Sequence, residues 1–466
     1  MAPGAGQPGQ RLPHAQLVPR DGCFPHGGHF RPGGRSLSAN RIAVVGGGSA
    51  YLPGVVKGMI QRAEALAGSE VVLYDTDPTA NGVICRLATR MVEVAGVEIT
   101  MRSADTLPAA LDGCDFVFTT FRPGGMAARA ADERIPLRHG VVGQETAGPG
   151  GFLMACRSVP VLLQIASLLE RCAPQAWIVN YTNPTNIVTD AVFRSGWERI
   201  VGLCDQHVGD LEEWRRLLAL GSGKLEADWV GLNHATFTRE VRRDGVAVGD
   251  LGARLARLDP GAMECVDDAR LVRVAQTLDL LPNSYARYYF FHDEIAAELA
   301  AAPATRGEVL GEALPRYYAA YEAAAVAEVP EPTMSRGGDG HGELAVDTIC
   351  AIANDEGRRL IVNTRNGSAL ADLPDAAVVE VPAVVGRSGP KPLAMGAVPR
   401  PVRGLVAAIH EYEWVAAEAA ATGSRARALT ALALHPFVRS LEAAERILDE
   451  GLAHHAAALP QFQTGG

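Results

Sequence analysis

Several features that mark whole classes of protein are missing from this sequence. None of its eight cysteines forms a Cys-x-x-Cys pair, which argues against a zinc ribbon or a thioredoxin-like site. Thiols scattered singly through a long chain fit a reducing compartment, mostly as small core residues. There is no basic excess: 43 Lys and Arg stand against 53 Asp and Glu, a formal charge of −10. A nucleic-acid partner is therefore not expected, although a local basic pocket for a small anion stays compatible. No uninterrupted apolar run reaches the ~18 residues that cross a bilayer. The N-terminus is rich in Gly, Pro, Arg and His and has no apolar stretch of the secretory kind. No internal repeat or low-complexity linker divides the chain. These absences predict a cytoplasmic protein without a membrane partner.

What is present begins abruptly at Arg41. Residues 1–40 read as a disordered extension, in which Cys23, His26 and His29 have metal-ligand chemistry but belong first to a solvated tail. The run Ile42–Val45 is short, apolar and β-branched, as for a strand buried on both faces of a parallel sheet. Gly46-Gly47-Gly48-Ser49 follows, then a helix over Pro53–Ala67 and a second apolar strand, Val71–Tyr74, ending at Asp75. That β-turn-α-β order opens a doubly wound nucleotide-binding fold. It continues with predicted helices over 82–95, 159–172 and 186–195 and strands over 116–120, 176–180 and 200–203. The fold class is α/β: a Rossmann-like, mostly parallel sheet over 41–208, with a C-terminal α+β lobe over 209–466. This second lobe carries a strand at Ala376–Val381 and Ala-rich helices over 402–422 and 425–457, whose apolar faces close a core or a subunit interface.

Three places carry candidate chemistry. Glycines directly after a strand let the backbone approach a pyrophosphate at a helix N-terminus, but Tyr51 stands where the third fingerprint glycine is expected, and a plain tight turn competes. Asp75, at the end of the next strand, favours the nucleotide reading. Its carboxylate suits the ribose hydroxyls of NAD and would repel the 2′-phosphate of NADP. Next, Cys204 and Asp205 sit just past a buried strand, where such sheets hold ligands. A thiol there and the imidazole of His234 suit a divalent metal, while a satisfied core histidine is the default reading of a lone His. Finally, Tyr285 lies in Leu281-Pro282-Asn283-Ser284-Tyr285-Ala286-Arg287-Tyr288-Tyr289, a string that alone reads as a loop entering a helix. Arg122, Arg129 and Arg306 suit a cationic pocket, although arginines are usually surface groups.

Taken together, the strings IAVVGGGSAY, FRPGGMAARAADERIPLRHGVVGQETAGPGG, NYTNP, VGLCD, GLNH, LPNSYARYY and IVNTRNGS resemble glycoside hydrolase family 4, the NAD-dependent exception to two-carboxylate hydrolysis. The resemblance runs from about Arg41 to about Ala457 and implies a lactate/malate dehydrogenase-like architecture. It implies Cys204 and His234 as ligands of Mn²⁺ or another divalent metal, in an open shell completed by sugar hydroxyls and water. It implies Tyr285 as base, Asp205 as acid, Arg122 and Asn183 as sugar-orienting groups, Arg306 as a phosphate contact and Glu145 as a neighbour of the site. Gly46, Gly48, Ser49 and Asp75 match cofactor contacts. A homodimer or homotetramer acting on a small glycoside is also implied.

The implied chemistry explains the residue types. NAD⁺ takes hydride from C3 of the sugar, the ketone acidifies the C2 hydrogen, a metal bridging the two oxygens stabilises the enediolate, and Tyr285, its phenol made more acidic by nearby positive charge, removes the proton. The C1 group leaves, water adds and the hydride returns. Asp205 points to the α-acting members, whereas FRPGG, RGGDG and NTRNGS resemble the 6-phospho-β-glucosidase branch. The longer stretch favours 6-phospho-β-glucosides. 6-Phospho-α-glucosides and an unphosphorylated galactoside or glucuronide are alternatives within the family. His207 departs from the family's proline and reads first as structural. Outside the family, the alternatives are a 2-hydroxy-acid dehydrogenase, with His341 its one loose candidate residue, and an NAD-binding sensor.

Overall fold

A computed structural model describes residues 39–336 and 342–463. The N-terminal extension, with Cys23, His26 and His29, lies outside these residues up to position 38, and so does His341. Among the described residues, thirteen strands join in one sheet. Six are parallel: β1 (Arg41–Val45), β2 (Ser69–Tyr74), β3 (Ile99–Ser103), β4 (Phe116–Thr119), β5 (Trp177–Asn180) and β6 (Ile200–Gly202). They lie in the order β3-β2-β1-β4-β5-β6, the strand order of a dinucleotide-binding sheet.

Alternation along β1 explains why its residues are apolar on both sides. Ala43 and Val45 enter one core and Ile42 and Val44 another, since successive side chains of a strand leave opposite faces. The long helix Gly148–Cys172 and the helix Thr185–Ser195 cover the first face. The helices Leu52–Gln61, Pro78–Ala95 and Glu343–Asn354 cover the second.

The remaining strands extend the same sheet in antiparallel fashion. They are β7 (Leu225–Leu232), β8 (Ala235–Arg243), β9 (Val246–Ala247), β10 (Leu281–Pro282), β11 (Arg358–Arg365), β12 (Val378–Gly386) and β13 (Gly389–Pro392). From β6 the order runs β11-β12-β7-β8-β10, with β13 beside β12 and β9 beside β8. Asn363 pairs with Gly202, and Glu380 pairs with both Asn363 and Gly231. The backbone ladder therefore runs straight from the nucleotide half into the second lobe.

Two sequence expectations are corrected here. The helix predicted from Val159 begins at Gly148, because the glycines of the GPGG string are packing requirements and not a loop. A Cβ on Gly150 would meet the Gln144 carbonyl oxygen at 2.3 Å, and one on Gly151 would meet the Thr146 carbonyl carbon at 2.6 Å. This same helix is long and apolar enough to cross a membrane, a property hidden in the sequence by Arg157 and Gln164, and 67% of its apolar window is buried in the fold. The predicted last helix divides into Arg425–Leu434 and Leu441–His454, with Pro436 in the break, where a proline cannot continue the backbone ladder.

Candidate active site

A cleft of 1390 Å³ opens at the carboxyl ends of the parallel strands and is walled by both halves of the chain. At one end is the glycine turn. The N–H groups of Gly46 and Gly47 both donate to the Tyr74 carbonyl at 2.9 Å, which draws the turn across the end of β2. Gly46 has φ +95°, and a Cβ there would meet the Thr120 carbonyl oxygen at 2.5 Å. The Gly48 N–H donates to Asp75 Oδ2 at 2.9 Å, and Asp77 N–H to Asp75 Oδ1 at 3.0 Å. Gly46, Gly48, Ser49 and Asp75 thus meet at one rim of the cleft. Sequence reasoning missed the supports of this turn. Tyr318 donates to the Gly48 carbonyl at 2.6 Å, Tyr321 to the Ala50 carbonyl at 2.7 Å, and the Arg336 guanidinium lies 4.4 Å from the Tyr51 ring centroid. The only trace of the tyrosines in the sequence is their i,i+3 spacing on a helix.

The second cluster is deeper. Cys204 follows β6, whose end is fixed by Leu203 N–H donating to the Asn180 carbonyl at 2.8 Å. His234 occupies the two-residue turn between β7 and β8 with φ +63°, a conformation that needs local support in a residue with a Cβ. Its Nε2 lies 3.6 Å from Cys204 Sγ. The Tyr285 ring stacks on the His234 ring at a centroid distance of 4.0 Å and an angle of 18°. Asn283 holds the tyrosine's loop by donating through its backbone N–H to the Thr236 carbonyl at 3.0 Å. The Tyr285 hydroxyl lies 3.3 Å from Gln144 Nε2 and 3.4 Å from Thr146 Oγ1. Asp205 accepts a hydrogen bond from the Tyr181 hydroxyl.

Arg122, Glu145 and Asn183 also face the cleft. Glu145 is shared by Arg122 and by buried Arg129, whose Nη1 is 2.9 Å away. Arg129 also binds Glu133 at 2.8 Å, so the pocket-facing arginine is aimed by a chain of charges. Thr185 Oγ1 donates to Asn183 Oδ1 at 3.2 Å, and the Asn183–Pro184 peptide is cis. Arg306 is not brought to this group. It stands exposed at the first position of the helix Arg306–Ala325 and does not line the cleft.

Burial sets the protonation of the cluster. It pushes the Cys204 thiol upward, with the nearby Glu380 carboxyl adding to the effect. It lowers the His234 imidazole to about 3 and His207 to about 4. It raises Glu380 to about 8 against hydrogen bonds from Asn233 and Asn363. Tyr285 is also pushed up, first by burial and then by the Glu145 carboxylate. In the chain by itself this phenol is therefore less acidic than usual, and Arg287, the cation coupled to it, is paired with Asp267 at 3.1 Å. Burial thus disfavours the charged forms of Cys204, His234 and Tyr285 in the chain by itself, and a divalent cation would favour the thiolate and the phenolate. The donors fit one. Thiolate and imidazole bonds of the usual lengths at a tetrahedral angle place S and N roughly 3.5 Å apart, close to the observed spacing. No group of three or more His, Cys, Asp or Glu side chains suited to a metal occurs among the described residues. Two side chains would hold the ion, and donors from outside the chain would fill its remaining positions.

The sequence model described as "Family 4 glycosyl hydrolase" matches residues 41–220, and its C-terminal domain model matches residues 229–438. The chain belongs to glycosyl hydrolase family 4. Among its relatives in the family is a Bacillus subtilis protein named "Probable 6-phospho-beta-glucosidase". It is 39% identical over 91% of this chain and 98% of its own length. A Bacillus subtilis maltose-6′-phosphate glucosidase is 30% identical over 88% and 94%. The solved 6-phospho-β-glucosidase of Thermotoga maritima, bound to NAD and glucose-6-phosphate, superposes with a TM-score of 0.80 at 30% identity, covering 90% of this family 4 chain and 99% of that one. A 6-phospho-α-glucosidase from gut microorganisms, in complex with NAD and Mn²⁺, gives 0.81 at 26% identity over 91% and 99%.

Proposed function

We propose that this chain hydrolyses the O-glycosidic bond of 6-phosphoglucosides, with β-linked substrates favoured, using NAD and a divalent cation such as Mn²⁺. The observation that carries the proposal is the meeting of Cys204, His234 and the stacked Tyr285 in the same cleft as the glycine turn. Gly46, Gly48, Ser49 and Asp75 would hold the dinucleotide, and Cys204 with His234 would hold the cation. When bound, the nicotinamide supplies reversible hydride transfer and the cation supplies Lewis-acid polarisation of sugar hydroxyls. Tyr285, as its phenolate, would take the sugar's C2 proton on the oxygen that Gln144 and Thr146 aim. Asp205, held by Tyr181, delivers a proton to the leaving oxygen. Arg122, fixed by Glu145, and Asn183 orient the sugar. Residues 41–208 serve the cofactor and 209–466 complete the sugar side.

An acid at position 205 favours a second reading, cleavage of the α anomer, in which departure of the C1 group needs protonation. Cleavage of the two p-nitrophenyl 6-phosphoglucosides in NAD⁺, Mn²⁺ and a thiol reductant decides the matter. Release of nitrophenol from the β anomer, lost on omitting either cofactor, is the expected result. Silence on both anomers overturns the substrate class. Run in D₂O, the reaction should place deuterium at C2 of the product, and its absence there excludes proton abstraction.

A further inference from the structure

The cleft continues past Asp205 into an arm that the steps above leave unused, walled by residues of β7, β11 and the helix Gln206–Leu217. Strand register fixes what faces it. Glu380 of β12 pairs with Asn363 of β11 and Gly231 of β7, and its carboxyl points to Asn233 and His207. Ile361 and Trp229 stand two residues before those partners, so alternation puts them on the same face. Asp205 stands at the N-terminal boundary of the helix over this face, and Val208 and Leu211 follow at three-residue steps along one side. Val208 is 52% exposed, while Leu211 and Ile361 are partly buried against the cluster that contains Trp229.

Two observations define what this arm would accept. Its cations are already neutralised: Arg359 and Arg242 by Asp228, Lys224 by Glu226 at 2.9 Å, and Arg358 by Asp347. The Trp229 side chain forms part of the wall and is 0% exposed, yet its indole Nε1 is buried with no acceptor, whereas a buried indole N–H ordinarily finds one. A second sugar would bring several hydroxyls and a charged group would need a free counter-ion. The arm provides the apolar side chains of Val208, Leu211 and Ile361, cations already held in ion pairs, and one buried donor without a partner.

We propose that this arm is the leaving-group subsite and that it takes an aromatic aglycone carrying an oxygen acceptor for the Trp229 N–H. The assignment rests on the glucosidase reading, because delivery of a proton by Asp205 decides which end of the cleft the departing group occupies.

The test uses the full chain loaded with NAD⁺ and Mn²⁺ and three substrates: methyl, phenyl and ortho-alkoxyphenyl 6-phosphoglucosides. Ratios of kcat/KM are taken within each variant, so lost folded material cancels. Val208→Asp on the exposed wall and Ile361→Asp on the floor should each lower the phenyl-to-methyl ratio at least tenfold. Trp229→Phe should lower the alkoxyphenyl-to-phenyl ratio threefold or more. Unchanged ratios in active variants overturn the subsite and leave the glucosidase reading standing. A wild-type protein inactive on all three overturns that reading, and this one with it.

Discussion

At the scale of single residues, Gly46 and Cys204 make opposite demands. Gly46 is required for its missing side chain. A left-handed φ costs an L-residue about 1–2 kcal/mol, and the Thr120 carbonyl leaves no room for a methyl group. Gly46→Ala should therefore weaken NAD binding at least tenfold, read by quenching of protein fluorescence; unchanged affinity would remove the turn from the cofactor site. In the proposed site Cys204 would be needed for its thiol. Cys204→Ser should weaken Mn²⁺ binding at least tenfold by electron paramagnetic resonance titration, since even partners of a ligand are worth that much, while NAD affinity stays within twofold. Equal Mn²⁺ affinity in the variant would mean that the thiol is no ligand. These residues were legible because each lies in a short string whose chemistry is local. Glu380 was not, because its role comes from pairing with strands far away in sequence. Arg306 looked useful in sequence, but the capping box of Thr305 and Glu308 starts a helix there and leaves the arginine facing outward.

At the scale of elements, the helix Arg306–Ala325 acts on the glycine turn from outside the nucleotide-binding sequence. Tyr318→Phe removes the hydrogen bond to the Gly48 carbonyl and should cost about 1 kcal/mol, seen as a several-fold weaker NAD affinity with little change in melting temperature. A fall in both together would make the tyrosine merely structural. The helix Thr185–Ser195 carries a titrating fault. Burial, only partly opposed by Arg194, raises the Asp190 carboxyl to about 7. The unfolded chain ionises this group near pH ~4, so rising pH favours unfolding between about pH 4 and about pH 7, and the penalty is absent below that window. Asp190→Asn should therefore gain stability over the parent as pH rises through it, measured by urea midpoints at its two ends. A gap that stays constant would contradict the assignment. The parallel strands and their helices were readable from apolar runs and turns. The first eleven residues of the helix Gly148–Cys172 were not, because the run of glycines at its start spells a loop until close backbone neighbours explain it.

For the whole molecule, the single sheet couples the two halves that the family models treat separately. Calorimetry should show one unfolding transition, and two resolved peaks would mean that the ladder across Gly202 and Asn363 carries little stability. The C-terminal helices are tied in as well. Asp132, fully buried, binds Arg157 at 2.5 Å and His455 at 2.9 Å. The antiparallel half of the sheet escaped sequence reading because its strands pair across long intervals and carry polar site residues where plain alternation is expected. A cation held by Cys204 and His234 alone would bear on how such a protein must be handled. With two side chains among the described residues to anchor it, such an ion would equilibrate with whatever the solution offers. A preparation eluted from a nickel column or dialysed against a chelator records the history of its buffers, and activity compared between laboratories means little until cation loading has been fixed.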